Sequence, residues 1–220
     1  MNLFCCRQVY CSELPGEGLQ LIRPIGTWDW NSPEMESGGY LMDSKRILLH
    51  ICCGPCATYP LEVLGEGFSI TGFFYNPNIH PREEFDRRLE STRQAAEHYG
   101  IDLQIKGDYP REGFLATAGE EAPARCSTCY LMRLGQTARQ AREAGFNGFS
   151  TTLLISPYQN LEELIRAGQK VARHWGVSFY APDFRKGFSR SRELARELNL
   201  YRQGYCGCIH SKKERYGQEG

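Results

Sequence analysis

The chain has 220 residues, of which 41% are hydrophobic and 24% charged. That is the composition of a globular protein, and the length favours one domain with appendages over two full domains. Basic and acidic residues balance at 26 each, so bulk charge cannot draw the chain to nucleic acid, and any such binding must come from a local patch. No apolar run approaches the roughly 18 residues of a membrane span, and residues 1–14 lack the apolar core of a secretory signal.

Residues 1–44 carry six acids against two bases, are rich in Gly and Pro, and sustain no periodicity. They read as an irregular N-terminal arm, pinned by Trp28 and Trp30, ahead of a domain at 45–220. Arg46–Ile51 is too short and too apolar for a helix and predicts a buried strand. Pro55–Leu64 predicts a helix stopped by Gly65, and Phe68–Tyr75 a second strand ending at Asn76-Pro77. Pro81 opens a helix with Phe85, Leu89, Ala96 and Tyr99 on one side, which Gly100 closes. Ile101–Ile105 predicts the third strand, and Cys129–Ala144 a helix through Leu131, Leu134, Ala138 and Ala141.

Phe149–Ile155 is apolar and rich in β-formers. Asn160–Trp175 has a capping Asn160, Glu163 three residues on and Gly176 as its stop. Val177–Tyr180 predicts a short strand, and Ser189 the cap of a last helix reaching Leu198. Strands alternating with helices over short connections predict an α/β fold, a Rossmann-like parallel sheet with helices on both faces. In such sheets ligands bind beyond the carboxyl ends of the strands. The segments there are Cys52-Cys53-Gly54-Pro55-Cys56, Asn76-Pro77-Asn78, Ser156-Pro157-Tyr158 and Asp183-Phe184-Arg185.

Ten cysteines are many for a chain without an export signal, and in a reducing compartment clustered thiols bind metal or do redox chemistry. Cys52 and Cys53 follow the first strand, where a sharp turn at Gly54 lets both face one centre. Cys126 and Cys129, two residues apart, suit one metal held from a tight turn, and a helix start at Cys129 favours its thiolate. Two sulfurs from each segment make four thiolates, which fit an iron–sulfur cluster or a structural zinc. A direct Cys-Cys pair at the end of a core strand favours the cluster over two zinc knuckles.

Cys56 is a spare thiol, either core or ligand. Cys206-Gly207-Cys208 closes only a small, strained disulfide ring, which describes a redox-active pair better than a staple; shielded thiols or extra ligands are the alternative. Cys5, Cys6 and Cys11 match no strong spacing.

Tyr75, Asn76 and Asn78 are candidate pocket residues unless Asn76-Pro77-Asn78 is only a turn, and Asp183 is a candidate ligand or proton carrier unless it only caps or pairs with Arg185. His50, within an apolar strand, reads as a core histidine. Residues 185–215 hold nine bases against three acids, with Tyr201 and Tyr205 interleaved, a pattern for a phosphate-binding surface or for a solvated helix face.

Leu49-His50-Ile51-Cys52-Cys53-Gly54-Pro55-Cys56, Phe73-Phe74-Tyr75-Asn76-Pro77-Asn78-Ile79-His80-Pro81, Arg125-Cys126-Ser127-Thr128-Cys129-Tyr130, Phe149-Ser150-Thr151-Thr152-Leu153-Leu154, Asp183-Phe184-Arg185-Lys186-Gly187 and Tyr205-Cys206-Gly207-Cys208 occur in order. Together they resemble the cobalamin-independent epoxyqueuosine reductase family, from about Arg46 to Glu214. The resemblance implies a cytoplasmic tRNA-modifying oxidoreductase that reduces the epoxycyclopentanediol of the wobble nucleoside to queuosine. It implies that Cys52, Cys53, Cys126 and Cys129 hold a [4Fe–4S] cluster and that Cys206 and Cys208 form a redox-active disulfide. It allows a second iron near the cluster. The implied partners are tRNA carrying epoxyqueuosine and an external electron donor, with no membrane and a monomeric chain.

Two rival readings are a tRNA sulfur transferase on a related fold and a zinc-stapled RNA-binding module. The first calls for a phosphate-cradling Ser-Gly-Gly-x-Asp-Ser loop after the first strand, where this chain has Cys52-Cys53-Gly54-Pro55-Cys56.

Overall fold

The computed structural model describes residues 45–107, 109, 114 and 124–217. The expectations for the arm at 1–44 and for Cys5, Cys6 and Cys11 lie outside the described residues. Five parallel strands form one sheet in the order β3-β2-β1-β4-β5. They are β1 Arg46–His50, β2 Ser69–Phe74, β3 Asp102–Ile105, β4 Gly148–Thr151 and β5 Ser178–Phe179. The helices are α1 Gly54–Gly65, α2 Arg82–His98, α3 Ala124–Glu143, α4 Leu161–Trp175, α5 Phe188–Glu197 and α6 Ile209–Tyr216.

Strand β1 is central because both of its faces are covered: Ile47, Leu48 and Leu49 have no exposed surface. Its neighbours are β2 on one side and β4 on the other, with Leu49 opposite both Gly72 and Ser150. The chain runs outward through β2 and β3, then returns across β1 to β4 and β5. Right-handed crossovers on the two sides of β1 place α1 and α2 on one face and α4 on the other. Contacts follow that division: α1 packs with α2 and α5, and α3 packs with α4. The predicted α/β architecture is what the structure shows. The reversal of strand order falls between β1 and β4, and the carboxyl ends of the strands at such a switch point are where parallel α/β sheets bind ligands.

Three local expectations are corrected. Helix α3 begins at Ala124, not Cys129, so Cys126 and Cys129 both lie in its first turns. The apolar run at 149–155 is a strand only to Thr151. Thr151, opposite His50, is the last residue of the ladder, and its hydroxyl accepts from Leu153 N at 3.2 Å, which starts a 3₁₀ turn over Thr152–Ile155. Helix α5 is not capped by Ser189: a 3₁₀ turn at Phe184–Gly187, capped by Asp183, runs straight into it. Helix α6 was not anticipated; none of its residues is buried, and so it shows no apolar stripe to read.

Candidate active site

The site assembles where β1 ends. Backbone N–H of Cys52 donates to Thr152 Oγ1 at 3.1 Å, which ties the β1 end to the β4 end across the switch point. Thr152 Oγ1 also lies 3.3 Å from Cys52 Sγ. Cys53, extended, is the N-cap of α1, and the turn it makes brings Cys52 and Cys53 sulfurs to 3.7 Å. One helical turn on, Cys56 joins them, and the three Sγ atoms lie within 4.8 Å of one another. No His, Asp or Glu enters that group.

The helix start is sterically demanding. A Cβ on Gly54 would stand 2.2 Å from the carbonyl oxygen of Ser91 on α2, so only glycine lets α1 begin here. Burial and shared hydrogen bonds divide the charge of the trio. Hydrogen bonds from Cys53 and Cys56 draw the Cys52 thiol well below its ordinary range, assisted by the charge of Arg133 and by Thr152. Burial, with Cys52 beside it, pushes Cys53 up. Cys52 and Cys53 together push Cys56 up.

The second thiol pair sits between α5 and α6. Cys206 and Cys208 are free thiols with sulfurs 3.8 Å apart; Cys206 is exposed and Cys208 buried. Gly207 between them has φ +117, a backbone that side chains rarely adopt. Arg88 of α2 fixes this turn: its Nη2 donates to the carbonyl of Tyr205 at 2.8 Å and its Nη1 to the carbonyl of Cys206 at 3.1 Å. Glu84, one turn back, pairs with Arg88 at 2.7 Å, and both are buried. Tyr201 OH donates to the other oxygen of Glu84 at 2.6 Å. Gln203 completes the link, its Nε2 lying 2.8 Å from Cys53 Sγ and 3.6 Å from Cys56 Sγ.

Cys126 and Cys129 stand outside the tight trio but in the same neighbourhood. Arg133, one turn beyond Cys129, places Nη1 3.9 Å from Cys129 Sγ, and its charge also acts on Cys52. Cys129 and Met132 pack on the small cluster of Phe114 and Cys208, and the charge of Cys206 acts on both Cys126 and Cys129. In the metal-free protein burial pushes both of these thiols up, against the charge of Arg125 beside Cys126 and of Arg133 beside Cys129. Tyr130 OH donates to Gln159 at 2.8 Å, which brings the segment after β4 to the same rim.

The other sequence candidates divide. Asn76 is buried and structural to the site: Nδ2 donates to the Ile51 carbonyl at 2.9 Å, and Oδ1 accepts from Arg133 at 2.7 Å. Tyr75 is half-buried and stacks on Phe73. Asp183 caps the 3₁₀ turn through Arg185 N at 3.0 Å and pairs with the Arg185 side chain at 2.6 Å, both exposed. Its carboxyl is held down by those hydrogen bonds, which is the capping reading rather than the ligand reading. His50 is a core histidine, 2.8 Å from Thr151 Oγ1, and burial lowers its pKa to about 3.

Sequence reading missed Glu84, Arg88, Arg133, Thr152 and Gln203. Two of them carried a signal, since Arg88 interrupts the inward stripe Phe85, Thr92, Ala95, Ala96 and Arg133 interrupts Tyr130, Leu134, Thr137, Ala138.

The donor set fits a thiophilic metal centre. Among the described residues it consists of free sulfurs, at a buried strand end, and two polar atoms beside them, Gln203 Oε1 and Arg133 Nε, are buried with no hydrogen-bond partner among those residues. Thiolate ligands of this kind suit iron–sulfur clusters and zinc.

A family model described as Epoxyqueuosine reductase QueH matches residues 47–214. A Dehalococcoides mccartyi protein of that name is 38% identical over 176 residues, covering 80% of this chain and 97% of its own. Proteins of the same name from Streptococcus pyogenes and Thermotoga maritima are 39% and 37% identical, covering 76% and 77% of this chain and 70% and 91% of their own. Among solved structures, the U34-tRNA thiolase NcsA from Methanococcus maripaludis with its [4Fe–4S] cluster shares the fold at a TM-score of 0.54 and 16% identity, over 76% of this chain and 61% of that one.

Proposed function

The chain belongs to the epoxyqueuosine reductase QueH family, and we propose that it reduces the epoxycyclopentanediol of the tRNA wobble nucleoside to the cyclopentenediol of queuosine. Cys52, Cys53, Cys126 and Cys129 hold a [4Fe–4S] cluster in this reading, and Cys206 and Cys208 supply a dithiol. Cys56, within 4.8 Å of Cys52 and Cys53, is the sulfur donor for a second iron. The observation that carries the reading is the wiring of two thiol sets into one strand-end site, with Arg88 and Gln203 reaching Cys206 from one side and Cys53 from the other.

Opening the epoxide to an alkene removes one oxygen as water and takes up two electrons and two protons. A dithiol closing to a disulfide yields two electrons and two protons, so the exchange balances without a further carrier. When bound, an iron–sulfur cluster supplies electrons one at a time. The protein's part is to hold the pair. Arg88 fixes the two carbonyls around Cys206, and Ser211 Oγ lies 2.9 Å from the Cys206 sulfur. An external reductant then reopens the disulfide at the exposed Cys206. Thr152, Asn76 and Arg133 hold the opposite wall.

The tRNA approaches over the basic segment. Arg196, Asn199, Tyr201 and Arg202 line one concave surface. Gln203, the next residue, reaches the Cys53 sulfur, so phosphates bound here bring a nucleotide to the thiols. Such a substrate places the protein in the cytoplasm. The test is to incubate anaerobically prepared protein with tRNA carrying the epoxide and a reductant, then to weigh the nucleosides by mass spectrometry. Loss of one oxygen from the modified nucleoside is the expected result. An unchanged epoxide with a metal-loaded protein overturns the reading.

A further inference from the structure

Three arginines are buried among the described residues: Arg88, Arg125 and Arg133. Two of them rest on carboxylates, Arg88 on Glu84 at 2.7 Å and Arg125 on Glu214 at 2.8 Å. Arg133 differs. Among the described residues no carboxylate lies within ion-pair distance of it. Nη2 donates to the neutral amide oxygen of Asn76 at 2.7 Å, Nε is buried without a partner, and Nη1 lies 3.9 Å from Cys129 Sγ. Arginine does not lose its proton in proteins. A guanidinium buried without a countercharge costs several kcal/mol, so the native site must contain negative charge that balances it.

Among the described residues, sulfur is the source within reach. Cys129 lies one helical turn before Arg133 on α3, and the charge of Arg133 also acts on Cys52 at the end of β1. Nη1 therefore lies against a thiol of one stretch, and the Asn76 amide that holds Nη2 is itself bound to Ile51, the residue before Cys52, in the other. Asn76 holds it there: its Nδ2 is spent on the Ile51 carbonyl at 2.9 Å, which orients its Oδ1 toward Arg133.

We infer that Arg133 is the fixed counter-ion of the cysteine-held centre and sets its reduction potential. The inference rests on the cluster reading given above. A four-thiolate iron–sulfur cluster is anionic and gains one more negative charge when it takes an electron. A fixed cation beside its ligands therefore favours the reduced state and raises the potential, since net charge and hydrogen bonds to the sulfurs are what set it. Arg133 is a positioning residue in this role; it contacts ligands, not substrate.

The test compares reconstituted wild-type protein with Arg133→Met, Arg133→Lys and Asn76→Asp, by iron content and by redox titration followed by electron paramagnetic resonance. Wild-type protein must first show a cluster, and its absence there removes the cluster reading together with this inference. With the cluster present, only differences among the variants bear on Arg133. Arg133→Met is expected to shift the one-electron equilibrium about tenfold or more toward the oxidised state, or about 59 mV downward for each tenfold. Arg133→Lys restores most of the shift. Asn76→Asp leaves Arg133 in place but supplies a carboxylate, and it also lowers the potential. Equal potentials in wild type and Arg133→Met overturn the inference, as do equal shifts in the Met and Lys variants. If Arg133→Met holds no iron, Asn76→Asp decides: a lowered potential supports the role and an unchanged one refutes it.

Discussion

Cys206 and Cys208 are two residues apart, yet their surroundings give them opposite character. Hydrogen bonds from Cys208 and Ser211 hold the exposed Cys206 down to about 5, whereas Cys206 and burial push Cys208 up. A lowered thiol pKa means thiolate above that pH, so Cys206 is the reactive partner through the neutral range. In the reduced protein iodoacetamide should label Cys206 first, with a rate that levels off above about pH 6, where an ordinary thiol keeps rising past about pH 8.5. Ser211→Ala should move that curve to higher pH, and a wild-type rate still climbing between pH 8 and 9 would contradict the assignment. Behind the pair, Glu84→Gln leaves Arg88 buried without its charge partner. The expected cost is about 3–5 kcal/mol in denaturant unfolding, with faster labelling of Cys208 as the turn loosens. A loss under about 1 kcal/mol would mean that the ion pair is not what braces the turn.

Helices α1 and α2 meet at one glycine. A Cβ on Gly54 would press on Ser91 backbone at 2.2 Å, while on the other flank of α1 Thr58 donates to Ser191 of α5 at 3.2 Å. Gly54→Ala should therefore destabilise by about 1–3 kcal/mol or more, as overpacking does. Because Cys53 and Cys56 flank this turn, the same change should lower metal retention, measured as iron per chain. The elements themselves were mostly readable. Gly100, Gly145 and Gly176 end α2, α3 and α4 at positive φ, as their places after apolar stripes predicted. What could not be read was where polar residues would start a helix early. Ala124–Thr128 carries no apolar period, so the start of α3 is set by tertiary contacts such as Arg125 with Glu214. Likewise Thr151 and Thr152 look like strand residues, but side-chain hydrogen bonds turn the backbone out of the sheet.

Strand order brings Cys52 and Cys53 to the carboxyl end of the central strand, and Gln203 ties Cys53 to the segment that carries Cys206 and Cys208. The motifs at the ends of β1, β2 and β4 were legible because each follows a short apolar run. The arginines that join them were not, because a buried charge acquires its meaning only from partners far away in sequence, such as Arg88 with Cys206. The basic surface belongs to this scale too. Arg196→Ala and Arg202→Ala should each reduce the dependence of log affinity for tRNA on log salt by roughly 0.7–0.9, leaving the metal centre's absorption unchanged; an unaltered slope would remove these residues from the interface. The central claim is that Cys52 and Cys53, with Cys126 and Cys129, hold one iron–sulfur centre at the sheet's carboxyl edge. Iron and acid-labile sulfide per chain, assayed on anaerobically purified wild-type protein and on the four single Cys→Ser variants, test it most directly. The expected result is a brown wild-type protein with about four sulfides and, counting the second iron, about five irons per chain, and a marked loss of both in all four variants. A colourless protein with one zinc, or full iron in the Cys126→Ser and Cys129→Ser variants, would contradict it.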